Sequence, residues 1–204
     1  MKKKRLIQLS EILLVAGLSV GGLIEAEADT IAFSPTSLSL ISGEPAGNDG
    51  LFFTPTTAIF VTSLGYVNCG FSVGHPVGLY DVTTSTLLAS TTITGSSIFN
   101  SNFRYNLITP VTLTAVHQYA IVGTYTPGTG PDTGYQAASA GAAALITYQG
   151  YKYDTHSTLD LPTTSYSSPI FGPNFQFVPV PEPATFAGFL LGLGFLACFQ
   201  RMRI

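Results

Sequence analysis

The chain has 204 residues, 46% of them hydrophobic and only 9% charged, with a formal charge of −3 at pH 7. Six of the eight basic residues sit at the two ends, so residues 29–180 keep two, Arg104 and Lys152, against seven acidic ones, a balance near −5. That balance argues against a nucleic-acid partner, because phosphate binding needs a basic surface.

Taken in order, Lys2, Lys3, Lys4 and Arg5 form a basic start, and Ile12 to Ile24 is an apolar run of signal-peptide length. Ala26-Glu27-Ala28 fits the small-x-small rule, which puts signal-peptidase cleavage after Ala28 and makes residues 1–28 a signal helix. An uncleaved N-terminal anchor is the alternative. With either, a basic end stays cytoplasmic and the residues beyond it are carried across the inner membrane.

Residues 29–178 are enough for one domain with a core of its own. Its charge is sparse, so its polar surface must come from Ser, Thr, Asn and Gly, a composition that suits an extracellular β-protein. Cys69 is the one cysteine in it, since Cys198 lies near the C-terminus, so packing must hold the domain without an internal disulfide. Cys69 itself reads as a buried small hydrophobe rather than a reactive thiol.

Thr30 to Phe33 and Leu38 to Ile41 are short β-prone pieces, with a turn at Gly43-Glu44-Pro45. Thr56 to Val67 is the first strong strand. Val77 to Tyr80 and Leu87 to Thr94 alternate as two arms of a hairpin around Thr83 to Thr86. Asn102 to Ile108 alternates again, and Pro110 is expected to break the chain before Val111 to Leu113. His117 to Tyr125 is another strand, Gln136 to Ala144 is the one internal stretch where a helical turn fits, and Leu145 to Tyr148 and Phe175 to Val178 supply the last strands. Short strands, frequent turns and no long amphipathic helix predict an all-β domain, an antiparallel β-sandwich of jelly-roll type. Leu64-Gly65-Tyr66, His75-Pro76-Val77-Gly78-Leu79-Tyr80-Asp81, Leu87-Leu88-Ala89-Ser90, Phe103-Arg104-Tyr105, Pro110-Val111-Thr112-Leu113 and Tyr119-Ala120-Ile121-Val122-Gly123 resemble a jelly-roll domain of bacterial exported and sugar-associated proteins. That resemblance implies a fold more than a function.

Gly70-Phe71-Ser72-Val73-Gly74 matches the Gly-x-Ser-x-Gly nucleophile elbow, but the elbow needs a helix directly after the serine, and here His75, Pro76 and a strand follow. A glycine-rich turn is the preferred reading, and no catalytic residue is assigned. His75, His117 and His156 lack metal-ligand spacing and read as strand-end or loop residues, so no metal or cofactor is assigned. Asp81 reads as a turn former. The acids Asp49, Asp132, Asp154 and Asp160 would have to converge to hold Ca²⁺, and no loop carries the D-x-[DN]-x-[DN]-G pattern. Tyr148, Tyr151 and Tyr153, with Gln149, Lys152 and Asp154 between and beside them, are candidates for stacking on a sugar ring of extracellular polysaccharide. The alternative is an edge strand whose tyrosines cover the core.

The chain ends, from Pro179, in Pro-Val-Pro-Glu-Pro, an uncharged apolar run over 184–199, and then Arg201 and Arg203. As a helix the apolar run would measure about 24 Å, short of a full bilayer core unless the arginines extend its reach by snorkelling. Pro181 and Pro183 keep the membrane helix from starting before Ala184. This order of Pro181-Glu182-Pro183, apolar span and basic end resembles the PEP-CTERM sorting signal of exported bacterial proteins, with a plain C-terminal anchor as the alternative. The resemblance implies that Pro181, Glu182 and Pro183 are read by an exosortase-type processing enzyme in the membrane. The expected protein is therefore a non-enzymatic one of the envelope, cell surface or extracellular matrix, structural or adhesive in an exopolysaccharide or biofilm setting. A carbohydrate-binding module is the alternative.

Overall fold

The computed structural model describes residues 29–36, 39–41, 46–68, 70–71, 73–125, 134–136, 139–167 and 170–181. The expected signal helix (1–28), the membrane helix (184–199), the turn at 43–45 and Cys69 all lie outside them. In chain order the described strands are β1 (Thr30–Ile31), β2 (Ser39–Ile41), β3 (Gly47–Pro55), β4 (Ile59–Val67), β5 (His75–Asp81), β6 (Thr86–Ile93) and β7 (Ile98–Asn100). They continue with β8 (Phe103–Leu113), β9 (Tyr119–Tyr125), β10 (Gly134–Gln136), β11 (Ile146–Asp154), β12 (Thr164–Tyr166), β13 (Ile170–Phe171) and β14 (Pro173–Pro179). No helix occurs among the described residues, so the all-β expectation holds there.

Two large antiparallel sheets make the body, a six-stranded one in the order β12-β11-β3-β9-β5-β6 and a five-stranded one in the order β1-β14-β4-β8-β7. A smaller sheet, β13-β10-β2, accompanies them. The pairings nest: β3 pairs with β9, β4 with β8 and β5 with β6, as if one long hairpin had been folded over on itself. β11 then adds beside β3, and β14 beside β4.

Strand alternation supplies the core, because residues two apart on a strand share a face. Leu51 and Phe53 of β3, Val77 and Leu79 of β5, and Tyr119 and Ile121 of β9 meet Leu64 and Tyr66 of β4 and Phe175 and Phe177 of β14 in one buried cluster. Phe53 and Phe175 pack with ring centroids 4.7 Å apart, and Phe33 stands edge-on to both, at 6.1 and 6.0 Å. Phe33 is held there by the fully buried Asn174. Its N–H donates to Asn174 Oδ1 at 3.2 Å, and Asn174 Nδ2 donates to its carbonyl at 2.7 Å, so one side chain satisfies a backbone donor and acceptor that no water reaches.

Every residue of β9 is buried, because its outer face is covered as well. There Phe52, Tyr80, Ala120 and Val122 form a second apolar cluster, packed by Val82, Leu159 and Leu161. The cover is the segment 155–163, which Tyr80 fastens by donating its hydroxyl to the Leu159 carbonyl at 3.1 Å.

Three expectations need correction. Asp49, expected in a loop, lies in β3, a central strand of the six-stranded sheet with no counterpart among the strands expected from the sequence. Pro110 does not break β8. It sits exposed in a bulge, where residues 107–111 lie opposite Val61 to Ser63, and β7 pairs only as far as Tyr105, so its missing N–H leaves no ladder bond unmade. The described residues of the Ala-rich stretch 136–144 hold bridges and no helical turn: Thr36 pairs with Ser139 and Phe33 with Ala142.

Candidate functional site

β11 carries the tyrosine stretch. A bulge between Tyr148 and Gly150 inserts one extra residue, so Tyr148 and Tyr151, three apart in sequence, point to the same side. That side is the core. Tyr151 is 3% exposed and its hydroxyl donates to Asp49, while Tyr148 and Tyr153 pack half-buried against the main cluster. Tyr148 meets Phe33 edge-on at 6.2 Å, and burial pushes its phenol up to about 12. The three rings therefore offer no shared exposed platform, and β11 is an interior strand flanked by β3 and the short β12, not an edge. Tyr166 on β12 remains 55% exposed and touches Tyr153 at 5.8 Å, a pair that sequence spacing gave no way to find.

At the end of β11 the chain curls, and Asn48 of β3 lies beneath the curl, wholly buried. Its Nδ2 faces four oxygens: Thr158 O at 2.6 Å, Asp160 Oδ1 at 3.1 Å, Asp154 Oδ1 at 3.3 Å and His156 O at 3.5 Å. On its other side Asn48 Oδ1 accepts from the Thr124 hydroxyl of β9 at 2.8 Å. The His156 ring stands outside, 65% exposed, with Nδ1 at 3.5 Å from a carboxylate oxygen of both Asp154 and Asp160. Asp154, Asp160 and His156 can each turn one ligand atom to within 4.8 Å of the others. Burial, and after it the Asp160 carboxylate, raises the Tyr80 phenol above its usual value.

Of the four acids that would have to converge to hold Ca²⁺, Asp154 and Asp160 lie together. Asp49 is turned to Tyr151, and Asp132 lies outside the described residues. Their other neighbours, two main-chain carbonyls and the Asn48 amide from a strand 106 residues away, carry no local motif.

The remaining candidates are structural where they are described. Gly70 and Phe71 adopt positive φ, and the chain enters β5 at His75 with no helix between the described residues, as expected for a turn; Ser72 itself lies outside them. His75 is buried, stacked on Tyr66 at 4.3 Å, with Nδ1 at 3.2 Å from the Thr124 carbonyl. The two basic residues of the domain lie over aromatic rings, Arg104 over Phe99 at 5.6 Å and Lys152 over Phe52 at 4.7 Å, which uses them within the fold.

Asp81 closes the β5–β6 turn by accepting the Thr84 amide at 3.0 Å, and His117 Nε2 lies 2.9 Å from its other oxygen. The Thr84 amide first, and His117 after it, hold its carboxyl below the ordinary value of 3.8. A depressed folded value stabilises the fold above the ordinary value, and that contribution is lost as pH falls below it. Asp81→Asn should therefore lower the unfolding midpoint at neutral pH, with the gap from the parent chain closing as thermal melts are taken below about pH 4.

The last described strand leads straight into the tail. β14 ends at Pro179, Val180 N–H donates to the Ala58 carbonyl at 3.0 Å, and Pro181 follows exposed. Residues 179–203 match the PEP-CTERM protein-sorting motif. The chain thus carries the PEP-CTERM signal, which indicates export and cell-envelope or surface sorting in bacteria and implies handling by an exosortase at the membrane. No match to the chain was found among curated proteins. Within the PEP-CTERM signal Pro179, Val180 and Pro181 are described. Glu182, Pro183, Arg201 and Arg203 lie outside the described part, as do Ala26 and Ala28 of the expected leader cleavage site. No described helix is long and apolar enough to cross a membrane.

Proposed function

We propose that this is a bacterial export substrate whose β-sandwich is delivered to the cell envelope or extracellular matrix, where it serves as a non-enzymatic structural or adhesive element. The observation that carries the reading is the PEP-CTERM motif beginning where β14 ends. With almost no linker between them, an enzyme acting on the motif meets a folded body held close to the bilayer. In this reading residues 1–28 are the leader, removed by signal peptidase, and residues 184–199 are a temporary membrane anchor. The nested strand pairing supports a jelly-roll form for the delivered body.

Polysaccharide recognition through Tyr148, Tyr151 and Tyr153 is the second reading, and it has less support, because Tyr151 is buried and the other two rings pack half-buried against the core. Replacing Pro181, Glu182 and Pro183 together by alanine tests the sorting role. The variant should accumulate uncut in the membrane fraction while the parent chain is processed, as read by immunoblot of fractionated cells. Equal processing of the two would contradict the proposal.

A further inference from the structure

The two ends of the domain leave the sandwich side by side. β14 runs out at Pro179, and β1, antiparallel beside it, sets Thr30 opposite Phe177, so the residues after the expected leader and those before the tail issue from one end of the five-stranded sheet. Three turns gather there. The turn 55–58 holds the outgoing chain through the Val180 N–H on the Ala58 carbonyl, and the β8–β9 turn is tied to it by the Val116 N–H on the Pro55 carbonyl at 3.1 Å. The β5–β6 turn lies alongside, since Asp81 stands opposite Tyr119 where β9 begins. We infer that this end of the domain, with Val116 exposed on it, is a membrane-contact surface that rests on the lipid headgroups while the chain is anchored.

Val116 singles this end out. Its side chain is 89% exposed, the most of any exposed large hydrophobic among the described residues, and its φ of 54° is a left-handed conformation that a β-branched residue rarely adopts. Neither the core nor the local backbone gains from valine at such a place, which points to a partner outside the domain. Leu87 and Leu88, 44% and 36% exposed, open β6 at the same end.

Charge is divided to match. Among the described residues Asp49, Arg104, Lys152, Asp154 and Asp160 lie toward the other end, where Asn48 pairs with Asp154 and Val67 with Phe103. The end that carries the tail has Asp29, bonded by Thr62, and Asp81, which its own turn and His117 already occupy. A body with a balance near −5 can approach anionic headgroups from this end at far lower cost than from the other. Reach agrees. From Pro181 to Ala184 three residues span about 10 Å at most, little more than the headgroup layer of about 5–8 Å on each side of a bilayer core. The contact depends on 184–199 acting as the proposed membrane anchor, and adds to it which face of the body meets the bilayer.

The chain has no tryptophan, so a single introduced one reports its own surroundings. The test reconstitutes the full chain in vesicles of phosphatidylethanolamine and phosphatidylglycerol, with brominated acyl chains in the quenching arm, and checks insertion by flotation. Val116→Trp, and Thr57→Trp in the neighbouring turn, should emit at shorter wavelength with vesicles and lose intensity to the brominated lipid. Ser101→Trp, at an exposed turn residue of similar φ at the far end, should stay unshifted and unquenched. Adding Val116→Asp to Thr57→Trp should reduce the quenching. A floating chain in which Val116→Trp and Thr57→Trp are quenched no more than Ser101→Trp would overturn the contact and leave the anchor standing. Quenching of Thr57→Trp unmoved by Val116→Asp would overturn it as well. A chain that does not float would remove the anchor, and the contact with it.

Discussion

Replacing Phe175 by alanine should destabilise the domain by about 3–5 kcal/mol, the range for deleting a fully buried aromatic ring whose surroundings relax only in part. Phe175 is wholly buried and touches Phe33, Phe53 and Phe177 at centroid distances of 6.0, 4.7 and 5.9 Å, so its loss opens a gap where the two sheets meet the Phe33 plug. The neighbours cannot simply close in. Phe33 is fixed through its backbone to Asn174, and Phe53 belongs to a strand paired on both sides. Domains of this kind are stable by roughly 5–15 kcal/mol, so urea unfolding should show a midpoint far below that of the parent chain. A loss under about 1 kcal/mol would mean that the sheets do not pack through this residue.

Asn48→Ala is expected to cost roughly 3 kcal/mol, through polar groups left unmatched rather than through volume. The Thr124 hydroxyl, on a residue 2% exposed, loses its acceptor, and the 154–160 curl loses the donor toward which its oxygens turn. The 155–163 segment should also loosen and uncover Phe52, Tyr80, Ala120 and Val122, giving faster proteolysis within that segment and binding of a hydrophobic dye. Asn68→Ala is the contrast. Asn68 is exposed and, among the described residues, bonds the Arg104 side chain and a turn backbone, so its change should stay at about 0.5 kcal/mol. Equal losses from the two substitutions would remove the special standing given to Asn48.

These two residues also mark where the sequence was readable. Phe175 lies in a strand with clear alternation, and β5, β6, β8, β9 and β14 were all legible from the same period of two. Asn48 sits in Gly47-Asn48-Asp49-Gly50, turn chemistry that proves to be strand. The glycines are needed there for close approach, not for turning: a Cβ on Gly50 would lie 2.7 Å from Pro162 Cγ, and one on Gly47 would collide with the Asp154 carbonyl. The residues that enforce this come more than a hundred positions later, so no local window contains the reason. Likewise the tyrosines of β11 read either as a sugar-stacking face or as an edge strand covering the core, and the sequence could not place them, because a bulge that resets side-chain direction has no signature beyond Gln149-Gly150. Asp154 and Asp160 were legible as loop acids, but their companions are carbonyls, which every residue has.

The tail was the most legible part, because order and composition there carry the signal without any tertiary contact. In the proposed reading neither end belongs to the finished protein. Mass spectrometry of the two termini of the protein recovered from outside the cell tests this most directly. A chain that starts at Asp29 and lacks the apolar run 184–199 is the predicted result. An intact 204-residue chain, folded in the cytosol, would contradict it.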